Sequence, residues 1–180
     1  MRTFLDALYR LSGAFAALCL IAICTIVLLQ VGANLIDAVA AAVTGTAIGL
    51  VIPSYAEFAG FFLAAASFFA LAYTLRTGGH IRVTLFIQKM TGLPRRIVEI
   101  WCTGTGAAMA GYLAYYLVLL VVESWEYNDL STGMVAIPIW IPQLPMALGV
   151  IVLTISLTDE FLRVLRGLPP SYEGLESGEG

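Results

Sequence analysis

The chain has 180 residues, of which 60% are hydrophobic and only 12% charged, with a mean hydropathy of +0.92 and a formal net charge of −3. Soluble domains run at about 45–50% apolar and about 25% charged residues, so a soluble enzyme of this size is excluded and a single all-α domain embedded in lipid is expected. The nine basic residues fall in three separated groups and form no continuous phosphate-binding face, which excludes nucleic acid as a partner.

The first ten residues set Phe4, Leu5 and Leu8 against Arg2, Asp6 and Arg10, the pattern of a short amphipathic start. An uncharged run of 26 residues, Leu11 to Ile36, follows. A helix rising 1.5 Å per residue needs about 20 apolar residues to cross a hydrocarbon core of about 30 Å, so a first span is predicted over 11–36. Ala38-Val39-Ala40 resembles a signal-peptide cleavage site, but the run before it exceeds the roughly 7–15 residues of a secretory core, and an uncleaved helix is expected. The next apolar stretch, 38–56, is broken by Pro53. Its helix-competent part, 38–52, reaches only about 22 Å and reads as an extension of the first helix or an interfacial segment.

Glu57 opens a second span, 57–75. At about 100° per residue, Phe58, Phe62, Phe69 and Tyr73 share one side, and Gly60, Ala64, Ser67 and Ala70 the other. The small side invites a close helix neighbour, and the aromatics face lipid or a groove on a partner. The connection from Arg76 to Glu99 holds five basic residues, with Val83, Phe86, Ile87 and Met90 on one helical face. It predicts a basic amphipathic helix lying on the inner membrane surface. His80, after Gly78-Gly79, reads as a polar residue ordering a turn. The third span, 98–122, repeats a small stripe at Gly104, Ala108, Gly111 and Tyr115, with Ala107 and Ala114 beside it. Both stripes fit packing within this chain or docking of another membrane protein. The fourth span, 140–162, follows Pro138, with a helix beginning near Pro142 and Trp140 at the headgroup level. Residues 169–180 form an acidic, glycine-rich tail expected to be disordered, leaving 1–168 as the membrane domain.

Every Lys and Arg lies before the first span, between the second and third, or after the fourth. Positive loops stay cytoplasmic, so four spans place both termini and the basic connection inside. A fifth crossing at 38–52 would put the five-charge cluster on the wrong side. The chemistry of an active site is missing. One histidine supports neither a bis-His haem nor a His-based zinc cluster, Cys19, Cys24 and Cys102 lack metal spacing, and no phosphate loop occurs. The four uncharged runs, 11–36, 58–75, 100–122 and 130–158, hold no Asp, Glu, Lys, Arg or His, whereas a transporter acting alone usually buries such groups. Glu57 and Glu123 sit at the outer span ends, where headgroup or loop contacts suit them. Gln30 and Asn34 suit hydrogen bonding between helices. No enzyme and no cofactor are expected.

Two segments carry a resemblance. The stretch around Glu57 followed by Arg76, Gly78, Gly79, His80, Ile81, Arg82 and Val83, and the segment Ser131–Gly149 with Ile137-Pro138-Ile139-Trp140, are similar to the small permease subunit of tripartite ATP-independent periplasmic (TRAP) transporters, the DctQ-like family. An arginine that members often carry near the outer end of the first span is replaced here by Ala33-Asn34. The resemblance implies a scaffold in the bacterial inner membrane that binds a large permease subunit. That subunit holds the sodium and substrate sites and imports an organic acid delivered by a periplasmic substrate-binding protein. A partner or lipid interface is expected on Glu57, Phe58, Phe62, Phe69, Tyr73, Arg76, His80, Arg82, Pro138 and Trp140. An accessory or assembly subunit of an unrelated membrane complex is the alternative.

Reversing Arg76 and Arg82 to Asp is expected to impair insertion or assembly by weakening the inside anchor. The amount of inserted protein and of uptake reads this out, and normal values for both would show that the two arginines are not anchors.

Overall fold

Four long helices make up the computed structural model, which describes residues 2–76 and 93–167. The helices are α1 (Arg2–Thr44), α2 (Tyr55–Arg76), α3 (Leu93–Glu126) and α4 (Trp140–Leu165). All four are long and apolar enough to cross a membrane, and among the described residues there is no strand, only an isolated bridge between Leu130 and Pro138. The chain is an all-α, multi-pass membrane protein. The amphipathic helix expected around Val83–Met90, together with His80, Arg82 and the 169–180 tail, lies outside the described residues.

The helices stand in a row, α1–α2–α4–α3: α1 packs on α2, α2 on α4 and α4 on α3, while α1 only grazes α4. Small residues make these approaches possible. Ser12 donates a 2.6 Å hydrogen bond to the carbonyl of Phe69, and Gly13 lets the Tyr73 ring lie against the α1 backbone. Tyr9, Ala72 and Val152 form one buried cluster, and Cys19, Ala65 and Ala66 another, with Phe62 packed on the second. Between α2 and α4 the contact is closest at Gly149, where a Cβ would lie 2.7 Å from the backbone of Phe68. On α3 the buried positions Thr103, Ala110, Ala114 and Ser124 recur on one side, and Gly104 lies under the Phe161 ring of α4. Arg96 donates to the carbonyl of Leu165 at 2.8 Å, placing a guanidinium on the last, dipole-negative turn of α4.

The wheel for α2 assumed one packing side, and the structure differs. Nothing lies within 4 Å of a Cβ at Gly60, and Ser67 is exposed, whereas Ala65, Ala66, Ala72 and Leu75 are buried. An interior helix of a row has neighbours on two sides, so its small residues do not collect on one stripe. The α3 stripe is split for the opposite reason. As an edge helix it turns Gly104, Gly111 and Ala114 to its single large neighbour and leaves Ala108 and Tyr115 exposed.

α1 overshoots the row. Counting from the Ser12–Phe69 pair, the start of α2 at Tyr55 is level with about Ile26, so the remainder of α1 to Thr44 extends about 27 Å further. The stretch expected as a helix extension is helical to Thr44 and then irregular. Gly45, at φ +74, ends the helix in the left-handed conformation that costs glycine least, its N–H bonded to the Ala41 carbonyl. The chain returns along α1: the Asp37 carboxylate accepts from the N–H groups of Ile48 and Gly49, and Gln30 Oε1 accepts from that of Ile52. Gln30 also donates to Asn34, so these two polar side chains secure the returning chain instead of bridging two helices.

Gly149→Val is expected to destabilise the α2–α4 contact by about 1–3 kcal/mol through overpacking. Thermal unfolding in detergent measures it, with Gly60→Ala as the comparison that leaves the midpoint unchanged or raised.

Candidate functional site

One end of the row carries Arg2, Arg76, Leu93 and Gly167; the other, the loop end, carries connections 45–54 and 127–139. Sequence chemistry gathers at the loop end. After α3, Asn128 turns the chain at φ +50, and residues 129–139 fold back as a small hairpin. Ser131 N–H donates to the Ile137 carbonyl at 2.8 Å and Ile139 N–H to that of Asp129 at 2.9 Å. The hairpin tip rests on the start of α2. Ser54, held at φ +56, accepts from the N–H of Val135 at 3.0 Å, joining two connections 81 residues apart. Glu57, in the first turn of α2 where the helix dipole favours an anion, lies directly against Gly133. A Cβ at Gly133 would overlap the Glu57 carboxylate.

The Glu57 carboxylate borders a cleft of about 440 Å³ between the two connections, walled by Ile52, Tyr55, Thr132 and Met134 among others. Its Oε2 is buried and has no hydrogen-bond partner. The surrounding charge is of one sign. Asp37, Glu57, Glu123, Glu126 and Asp129 are acidic, and neither connection contains a Lys or Arg. Asp37 is occupied by the two N–H groups named above, which leaves the other four to act outward. The site offers an anionic hydrogen-bond acceptor to a cationic or N–H group that arrives from outside the chain. It has no nucleophile–base pair, and among the described residues no three His, Cys, Asp or Glu side chains are grouped to hold a metal ion.

The sequence-predicted interface residues divide between the two ends. Glu57, Pro138 and Trp140 meet at the loop end, with Pro138 bridged to Leu130 and the Trp140 ring edge-on to Trp125 at 4.7 Å. Two tryptophans at one level suit a membrane–water boundary there. Phe58 and Phe62 line an apolar pocket of about 210 Å³ together with Phe15, Pro142 and Pro145. Phe69 is packed inside the row, its ring 4.8 Å from that of Phe15, and Tyr73 lies on Gly13 with part of its ring exposed. Arg76 ends α2 at the opposite end of the row. Sequence reasoning missed Ser54 and Gly133, whose roles depend on contact across about 80 residues. The available signal was Gly133 in a short polar turn, which marks a close approach without naming what approaches.

Residues 38–167 match the family described as tripartite ATP-independent periplasmic transporters, DctQ component. The chain belongs to this family. The match takes in α2, α3, α4 and both loop-end connections, and it reaches only the last turns of α1. No curated protein matches the chain. As a DctQ component, the chain is the small subunit of a TRAP transporter.

Gly133→Ala is expected to displace the Glu57 carboxylate and lower stability by about 1–3 kcal/mol. The double variant Glu57→Ala/Gly133→Ala removes the overlap and is expected to recover most of that loss, a coupling that a double-mutant cycle of detergent unfolding midpoints measures.

Proposed function

We propose that this small subunit is the fixed scaffold of a sodium-driven importer of an organic acid. It sits in the bacterial inner membrane with both termini and the 77–92 connection in the cytoplasm and the loop end in the periplasm. The large permease subunit moves the substrate and holds the sodium and substrate sites, and a periplasmic binding protein delivers the cargo. Catalysis has no place in this role.

The observation that carries the reading is the row itself. Helices ordered α1–α2–α4–α3 form an open layer, and no Asp, Glu, Lys, Arg or His lies at mid-depth in their spans to bind or release an ion. An open layer with two edges and two broad faces suits bracing a larger membrane body. The charge asymmetry supports the orientation: all nine basic residues lie in the N-terminal ten residues, between 76 and 96, or at 163 and 166, and none lies at the loop end. The acidic loop end, with the Glu57 cleft and the projecting α1 hairpin, is the surface available to an arriving binding protein with basic groups.

Purification of the chain from its native membrane is expected to bring down a large multi-span permease, and vesicles holding the chain alone are expected to show no sodium-driven uptake. Uptake by the isolated chain, or a stable partner of another kind in place of the permease, overturns the reading.

A further inference from the structure

The two edges of the row differ in chemistry. On α1 the side turned away from α2 carries Leu11, Leu18, Ile21, Thr25 and Leu28, all exposed. It is aliphatic throughout, and its one hydroxyl, on Thr25, is spent on the Ile21 carbonyl of its own helix. On α3 the side turned away from α4 carries Trp101, Thr105, Met109, Tyr112, Tyr116 and Glu123, with Tyr115 beside it. α3 is also the least buried of the four helices.

Depth makes the tyrosines informative. Tyr116 and Tyr112 lie 9 and 13 residues before Trp125, about 14 and 20 Å below the level that Trp125 and Trp140 mark. In a hydrocarbon core about 30 Å thick, that is its middle. Tyrosines that face lipid collect at the headgroups, where the hydroxyl meets water, because the bilayer core offers it no hydrogen bond. Yet Tyr112, Tyr115 and Tyr116 are 67%, 61% and 51% exposed. The Tyr112 and Tyr116 rings lie 4.6 Å apart and Tyr115 stands edge-on to Tyr116, so the three hydroxyls collect on one outward patch. A protein surface supplies at mid-depth what lipid lacks: backbone carbonyls or polar side chains, with packing for the rings.

We propose that the outward edge of α3, centred on Tyr112, Tyr115 and Tyr116, docks on the large permease subunit, whose polar groups pair with the tyrosine hydroxyls, while the aliphatic edge of α1 faces lipid. The inference rests on the scaffold reading and deepens it by naming the docking face. The permease is the fitting occupant because the stripe runs the length of the span, from Trp101 to Glu123, and only another membrane-embedded protein matches that length.

A photo-reactive residue placed in turn at Tyr112, Tyr116, Leu18 and Leu28 of the full chain, in membranes that contain the whole transporter, tests the assignment. Cross-links to the permease are expected from positions 112 and 116 and not from 18 and 28. Permease cross-links from α1 with none from α3 overturn the docking face and leave the scaffold reading standing. Cross-links from α3 to a second copy of this chain also overturn it. Failure of every position to reach a permease, with no permease co-purifying, overturns both readings. The triple variant Tyr112→Phe/Tyr115→Phe/Tyr116→Phe keeps the rings and removes the hydroxyls. It is expected to retain at least tenfold less permease through detergent washing, with unchanged yield of the chain; retention equal to that of the unaltered chain overturns the hydroxyl pairing.

Discussion

Hydrocarbon offers no hydrogen bonds, and over about 30 Å of depth every polar group of this chain has to be satisfied by the chain itself or by another protein. The backbone answers with continuous helices. Many of the hydroxyls answer by bonding back to the carbonyl one turn earlier, as Thr25, Ser67, Thr74, Thr103, Thr154 and Thr158 do. Ser12 is different: its hydroxyl crosses to the Phe69 carbonyl and so joins α1 to α2 at a defined register. The tyrosines of α3 are different again, because they stand exposed on the outer edge of the row at a depth where lipid offers their hydroxyls nothing.

Lipid also removes the hydrophobic drive between helices, so association depends on how closely backbones approach. This is why Gly13, Gly104 and Gly149 matter more than the large side chains around them: each admits a ring or a backbone that a Cβ would exclude. Two such contacts lie on the α1–α2 and α2–α4 sides of the row and one on the α3–α4 side. Together they set a layer rather than a closed bundle. A layer exposes much apolar surface for its size, which suits a subunit whose remaining contacts are made to other proteins and to lipid.

The loop end is governed by water and charge instead. There the overshooting half of α1 is tied to its returning chain through Asp37 and Gln30, and the 129–139 hairpin is tied to α2 through Ser54 and Glu57. Both ties use polar side chains against backbone or glycine, the economical way to order irregular chain beside a membrane. They leave Glu57 with one buried oxygen unpaired and a wholly acidic surround. Membership of the DctQ family gives that surface a setting within a TRAP transporter.

Length, apolar composition and the positions of charge were sufficient to determine four membrane-spanning helices and their all-helical nature, because a membrane-crossing helix is a local object defined by rise per residue and transfer of side chains into lipid. The same local logic placed Glu57 at a helix start. Tertiary structure alone decided which faces pack. The wheel of α2 failed at Gly60 and Ser67 because an interior helix serves two neighbours, and no periodicity within one helix encodes how many neighbours it has. Tertiary structure also decided the contacts of Glu57 with Gly133 and of Ser54 with Val135, since these join residues about 80 positions apart. It exposed the contrast between the aliphatic edge of α1 and the tyrosine-bearing edge of α3, which depends on knowing that these two helices are the ends of the row.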